Sequence, residues 1–203
     1  MNDTNNAPNG GMKAEGAVAR RPKLAFYHAN AKGTGCALKL ERRPASAEAE
    51  GCFMATIANQ MTVGDRRAPN PVYPRFDWEG AIAFKLGFSD VCKMLQVLRG
   101  ECESLEDGHG VYHRSARAAT KIILRHSVET SSYSFEVYRA PVGGGDDSRA
   151  HIQFSQAEAL GLERVFADSL ALICFGVPGP EEQAAAAAWR AKPAQEAGDG
   201  VAA

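Results

Sequence analysis

The sequence predicts an α+β fold: two four-stranded antiparallel sheets packed with two helices, in the order ββββα-ββββα. Three observations predict it. Eight short stretches alternate apolar and polar residues with a period of two, as half-buried strands do. Two longer stretches switch to helical spacing, and each closes a set of four strands. Composition is that of a globular chain with a proper core: 203 residues, 45% hydrophobic and 23% charged.

The first set runs "KLAFYHA" (Lys23–Ala29), "CALKLER" (Cys36–Arg42), "GCFMATIAN" (Gly51–Asn59) and "GAIAFKLG" (Gly80–Gly87). In the second of these Cys36, Leu38 and Leu40 share one face, and Ala37, Lys39 and Glu41 the other. In the fourth, Ile82, Phe84 and Leu86 fall together. At Ser89 the period changes. Val91, Met94, Leu95 and Leu98 mark an amphipathic helix with Ser89 expected as N-cap, Asp90 in the first turn and Gly100 just past the end.

The second set runs "GVYHRS" (Gly110–Ser115), "RAATKIILRHS" (Arg117–Ser127), "SYSFEVYRA" (Ser132–Ala140) and "AHIQFS" (Ala150–Ser155). A long helix follows, N-capped by Ser155 with Glu158 at the capping-box position. Its stripe is Leu162, Val165, Phe166, Leu170, Ile173 and Cys174. Each half is too small to hold much core of its own, so one domain over residues 23–176 is expected. The Asn-, Gly- and Pro-rich residues 1–22 form a disordered leader in this reading. Residues 177–203 form a flexible, Ala-rich tail with a weak helix over Ala184–Lys192.

Charge is nearly balanced, with a formal net charge of −1. Between Lys23 and Phe154, 17 Lys and Arg stand against 15 Asp and Glu; in the tail, Arg190 and Lys192 stand against Glu181, Glu182, Glu196 and Asp199. The body is weakly basic and the tail weakly acidic. Five cysteines with no CxxC pair fit a reducing compartment, with Cys36, Cys52 and Cys174 in apolar surroundings. No apolar run reaches the roughly 18 residues of a membrane span. The leader has neither an apolar core nor Arg enrichment, so no secretion or transit signal is expected. A cytoplasmic location is expected, nucleoid-associated if the chain is bacterial.

Four local motifs, in order over Lys23 to Gly176, resemble the Whirly family of plant single-stranded-DNA-binding proteins and the kinetoplastid guide-RNA-binding proteins that share its fold. "KGTGCALKL" (Lys32–Leu40) is similar to the Lys-Gly-Lys-Ala-Ala-Leu motif on the second strand. "FDW" (Phe76–Trp78) is similar to the family's Tyr-Asp-Trp. "FSDVCKML" stands where the family has its first helix, and "IQFSQAEALGLERVF" resembles the entry into its last. The family's second Lys is Thr34 or Gly35 here, with one residue inserted. In the plant proteins this motif is tied to DNA binding and to assemblies of tetramers, so the resemblance does not carry the larger assembly over. It does imply a homotetramer binding single-stranded DNA, or RNA, without strong sequence preference, along the outer sheet faces. It implies no enzyme activity, no cofactor and no membrane partner.

A sequence-tolerant strand binder needs cations that track phosphates and rings that stack on bases. Arg117, Lys121 and Arg125 fall at i, i+4 and i+8 on one strand face, recurring about every 13 Å, with Ile122 and Leu124 opposite. A plain solvated sheet face reads equally well from this strand alone. Lys32, Lys39 and Lys85 add outward cations. Tyr27 faces opposite Phe26, and Tyr112 or Tyr138 would do likewise. Phe76 and Trp78 admit two readings: plugs where the two sheets meet, or rings that stack on a base or line a subunit seam. Asp77 between them reads as a turn anchor.

Other motifs carry less. Gly33–Gly35 is no dinucleotide loop, since Leu38 replaces the third Gly and a strand follows. His109 and His113 lie on a predicted strand, about 13 Å apart and too far for one ion. Ser131 and Ser132 read as a hairpin turn rather than a nucleophile elbow. A small-ligand carrier built on a closed β-cavity remains as a third reading, and it requires a deep apolar pocket.

Overall fold

The computed structural model describes residues 23–178 and 183–184. The leader and most of the tail, with the helix expected over Ala184–Lys192 beyond its first residue, lie outside the described residues. The first sheet comprises β1 (Lys23–His28), β2 (Cys36–Arg43), β3 (Cys52–Thr62) and β5 (Ile82–Leu86), neighbours in that order and all antiparallel. A two-residue strand, β4 (Arg75–Phe76), pairs with the far end of β3 across a register shift between Gln60 and Thr62. The second sheet is an antiparallel meander: β6 (Val111–Arg114), β7 (Ala118–Ser127), β8 (Ser132–Pro141) and β9 (Ser148–Ser155). Helix α1 (Phe88–Leu98) follows β5, and α2 (Gln156–Phe175) follows β9. The predicted order holds, with β4 and a 3-10 turn at Leu105–Gly108 as additions.

One hydrophobic core draws on both halves. The inner faces of the two sheets meet directly, with Phe26 edge-on to Phe154 at 5.0 Å and Phe84 against Phe135 at 6.2 Å. Val91, Met94, Leu95 and Leu98 of α1 join them, as do Leu162, Phe166 and Ile173 of α2. Phe53 packs on Phe166 at 5.0 Å, and both are buried. Removing Phe166 would take away both the transfer term and the packing around it, about 3–5 kcal/mol. The C-terminal end of α1 is also tied down: Tyr133 of β8 donates to the Leu98 carbonyl at 3.2 Å, and Arg99 pairs with Glu163 of α2 at 2.8 Å.

Helix starts obey local chemistry, with one correction. Ser155 caps α2 as expected, accepting from Glu158 N–H at 3.3 Å, while Glu158 Oε2 accepts from Ser155 N–H at 2.9 Å. Ser89 does not cap α1. The N-cap is Gly87, two residues earlier, with extended backbone; Asp90 reaches back and accepts its N–H at 2.8 Å. A carboxylate at the third helical position satisfies the orphan donor without any help from the N-cap side chain. At the other end, Gly100 has φ +73° just past the Arg99 cap, the left-handed position that favours glycine.

Cys36 and Cys52 are buried, but Cys174 is exposed. It falls beyond the edge of the α2 stripe, next to the buried Ile173 and the exposed Phe175. Burial pushes the Cys36 thiol up to about 11 against weaker backbone hydrogen bonds, so it stays a protonated small hydrophobe.

Candidate functional site

Strand alternation decides what each sheet shows to solvent. In the first sheet Leu38, Leu40, Phe53, Ile57, Ile82 and Phe84 point inward, which turns Ala25, Tyr27, Ala37, Lys39, Thr56, Ala58, Ala83 and Lys85 outward. Most of these are small. In the row Tyr27–Ala37–Ala58, both alanines are almost fully buried although they face outward, so side chains must close over them. Rings stand on that row. Tyr27 lies 5.7 Å from Phe76 and 6.3 Å from Trp78, and Phe76 lies 6.4 Å from Trp78. Lys39 Nζ sits 3.1 Å from the centre of the Trp78 ring. Tyr27 is 54% exposed and Trp78 is half-buried.

This settles the two readings of Phe76 and Trp78 against the first. The rings do not plug the junction between sheets. Pairing of β4 with the end of β3 carries them onto the outer face instead, beside Tyr27 and Lys39. Asp77 is the turn anchor expected: its Oδ1 accepts Gly80 N–H at 2.9 Å, and its own N–H bonds the Asn59 carbonyl at 2.9 Å. The Lys39 ammonium is held below its ordinary pKa by partial burial and by Lys23, with Glu41 opposing.

The β1–β2 turn beside this cluster is pinned by a residue the sequence reading missed. Gln60 Oε1 accepts from the N–H groups of Asn30 (2.9 Å) and Gly35 (3.0 Å), and its Nε2 donates to the carbonyls of Asn30 and Thr62, both at 3.0 Å. Asn30 Oδ1 in turn accepts from Lys32 N–H (3.0 Å) and Thr34 N–H (3.1 Å). Gly35 is required for close approach: a Cβ there would meet the His28 carbonyl oxygen at 2.2 Å and Gln60 Oε1 at 2.3 Å. Lys32 thus projects from a fixed turn and is exposed.

The outer face of the second sheet is built differently. Its register places Tyr112, Lys121, Tyr138 and Arg149 side by side across four strands, ring alternating with cation. Lys121 lies 5.1 Å from the Tyr112 ring centre, and Arg149 lies 4.9 Å from that of Tyr138. Beside this row sits Glu136, only 9% exposed. It accepts from Tyr138 Oη at 2.6 Å, Arg149 at 2.8 Å and Arg125 at 3.4 Å. Burial works against its charge, but these hydrogen bonds and cations prevail and hold its carboxyl below the usual range. The same bond raises the Tyr138 phenol.

The predicted residues therefore separate. Tyr27, Lys39 and Trp78 come together, with Lys85 farther along the same face, and Lys32 in the adjoining turn. Lys121 and Arg125 share the face of the second sheet, with Arg125 engaged by Glu136. Arg117 falls just outside β7, in the β6–β7 turn, so the three cations do not form one strand ribbon. His113 pairs with Asp90 of α1 at 3.1 Å, and no cluster of metal-ligating side chains forms among the described residues. A cleft of about 630 Å³ opens between β1–β2 and β8–β9. Its walls mix Cys36, Ile152 and Phe154 with Asn30, Thr34, His151 and the paired His28 and Glu158, 2.6 Å apart, where a small-ligand cavity is predominantly apolar.

No family model matches the sequence, and no curated protein matches it either. Solved structures do. The structure of WHY1 from Arabidopsis thaliana superposes with a TM-score of 0.63 at 15% identity, over 86% of this chain and 94% of that one. The chain has the Whirly fold. WHY3 from the same plant gives 0.62 at 16% identity, covering 86% and 98% of the two chains. The Whirly arrangement also matches Trypanosoma brucei MRP1/MRP2, with a TM-score of 0.53 at 15% identity over 75% of this chain and 86% of that one. At these identities the likeness is one of fold.

Proposed function

We propose that the protein binds single-stranded nucleic acid with little sequence preference, DNA ahead of RNA, as a non-catalytic factor in replication, repair, recombination or transcription. One observation carries the reading: a ring cluster, the exposed Tyr27 with the half-buried Phe76 and Trp78, stands on an outer sheet face with Lys39 above the indole. Every base has a π-face, so a ring platform accepts any sequence, and each stack contributes about 1–3 kcal/mol. Lys39, Lys85 and Lys32 supply the cations that follow the phosphates. The Whirly fold supports the reading, since the family resembled in the sequence binds single-stranded DNA. Assembly as a homotetramer belongs to the same proposal and would set four such faces around one axis.

A second reading, an RNA binder, draws on one comparison: a guide-RNA-binding protein complex bound to a guide RNA shares the fold, with a TM-score of 0.52. Fluorescence anisotropy with matched single-stranded DNA, duplex DNA and RNA at two salt concentrations tests both. The proposal expects single-stranded DNA to bind best and to weaken steeply with salt. Tighter binding of RNA would reverse the order, and salt-independent or absent binding would end the proposal.

A further inference from the structure

At the end of the first sheet away from the ring cluster lies a groove of about 760 Å³. Outward side chains of β3 and β5, Cys52, Met54 and Lys85, form its floor and one edge. Arg42, Arg43 and Glu50 line the rest. The β2–β3 connection is its wall. That connection is held up by a Ser46–Ala49 bridge and by a hydrogen bond of 2.9 Å from Ala45 N–H to the Leu172 carbonyl of α2. The wall is therefore anchored to the core rather than free to fold away.

The electrostatics of the groove are unbalanced. Arg42, Arg43 and Lys85 are all exposed, and none of them forms an ion pair among the described residues. Glu50 is the one carboxylate in the lining, so three cations face one anion. Lys23 and Arg114 are likewise exposed without an ion pair among the described residues, and Arg125 and Arg149 are held by Glu136; what sets the groove apart is that three such cations line one cavity. A surplus of two positive charges matches a phosphomonoester, which carries about −1.5 to −2 at neutral pH. A phosphodiester carries a single charge. Arg43, which shares the outward face with Cys52 and Met54, presents a planar fork that grips a phosphate's several oxygens. Arg42 beside it on the strand lines the groove from the opposite parity, and the Met54 and Cys52 floor offers an apolar surface for the attached sugar or base.

We infer that this groove is a site for a terminal phosphate: it takes the phosphorylated end of the strand whose interior lies on the ring cluster. The inference deepens the strand-binding reading and rests on it. The wall explains why an end suits the groove better than a passing strand. A chain running along the face toward β2–β3 meets an anchored loop, and a strand that stops there leaves its last phosphate among Arg42, Arg43 and Lys85. The shared chemistry is a phosphomonoester on a nucleotide, which a free nucleoside monophosphate also offers.

The test uses the full chain and one oligonucleotide sequence in three forms: 5′-phosphorylated, 3′-phosphorylated and unphosphorylated, with a nucleoside monophosphate as competitor. One phosphorylated form is expected to bind about tenfold tighter than the unphosphorylated one. The increment should vanish in the Arg42→Ala/Arg43→Ala variant, whose affinity for the unphosphorylated strand stays at the wild-type value. An unchanged melting temperature shows that the variant is folded. Equal affinity for all three forms overturns the inference and leaves strand binding standing. So does an increment that survives in the variant. If the monophosphate binds in an Arg43-dependent way and no strand binds, the groove is a mononucleotide site and the strand-binding reading falls instead.

Discussion

The two outer faces of this protein use the same residue types to opposite effect. On the first sheet three rings gather over a floor of alanines, and the nearest cation, Lys39, caps the indole with no carboxylate bonded to it. On the second, rings and cations alternate in a neat row, yet a single buried carboxylate, Glu136, holds Arg125, Arg149 and the Tyr138 hydroxyl. Counting the outward lysines, arginines and tyrosines named above would rank the second face ahead of the first. What separates them is whether the positive charge is already satisfied. A cation bonded to a buried carboxylate must give up that partner before it serves a phosphate, and the partner left behind stays desolvated. On the first face no outward cation is bonded to a carboxylate; on the second, Arg125 and Arg149 are held by Glu136 while Lys121 lies near the Tyr112 ring.

The largest effect should come from rings. Trp78→Ala and Tyr27→Ala are each expected to weaken single-strand binding by about 1–3 kcal/mol, while Tyr112→Ala on the second sheet changes it little. Titrations of the three variants, with melting curves as a control for folding, check this; equal losses on both faces would erase the distinction. Next come the cations. Lys39→Ala should lower affinity and reduce the slope of log affinity against log salt by about 0.7, the value for one phosphate contact on a single strand. Per charge removed, the triple variant Arg117→Ala/Lys121→Ala/Arg125→Ala should lose less, because Arg125 is committed to Glu136 and Arg117 lies in a turn.

A smaller effect tests the second face directly. Glu136→Gln removes the carboxylate and releases two arginines, so binding at low salt should strengthen by about two- to fivefold. If affinity is unchanged, the second face is closed for another reason. The smallest effect is on acid stability. Glu136 and Glu158 both titrate below the ordinary carboxylate range in the folded chain. For Glu158 burial opposes the charge, and bonds from Ser155 and His28 outweigh it. Each carboxylate then stabilises the fold fully above its unfolded pKa, and that contribution is lost as pH falls through the depressed folded value. Melting temperature should decline with acidification in that window, and Glu136→Gln should shallow the decline.

How legible this was from sequence depends on range. Alternation along single strands and helical spacing are both local, and they located all eight long strands and both helices within a few residues. The Ser155–Glu158 box is local too and was readable. Gly87 as the α1 cap was not, because glycine offers no side chain and the bond comes back from Asp90. The site was readable in its parts and not in its assembly. Tyr27, Lys39 and Trp78 each stood out, but Trp78 reaches Tyr27, about fifty residues away in the chain, only because β4 pairs with β3 across a register shift. Gln60 and Glu136 left no signal of their own: each acts through partners on other strands, and a lone Gln or Glu in an alternating run reads as surface.

Trp78 offers the most direct test of the central claim. The chain has two tryptophans, so a Trp189→Phe variant leaves Trp78 as the sole indole reporter on the ring cluster. Adding single-stranded DNA at low salt should quench its emission saturably, in step with anisotropy of the labelled strand, and salt should reverse both together. A strand that binds by anisotropy while Trp78 emission stays constant would place the polynucleotide elsewhere on the protein and contradict the account.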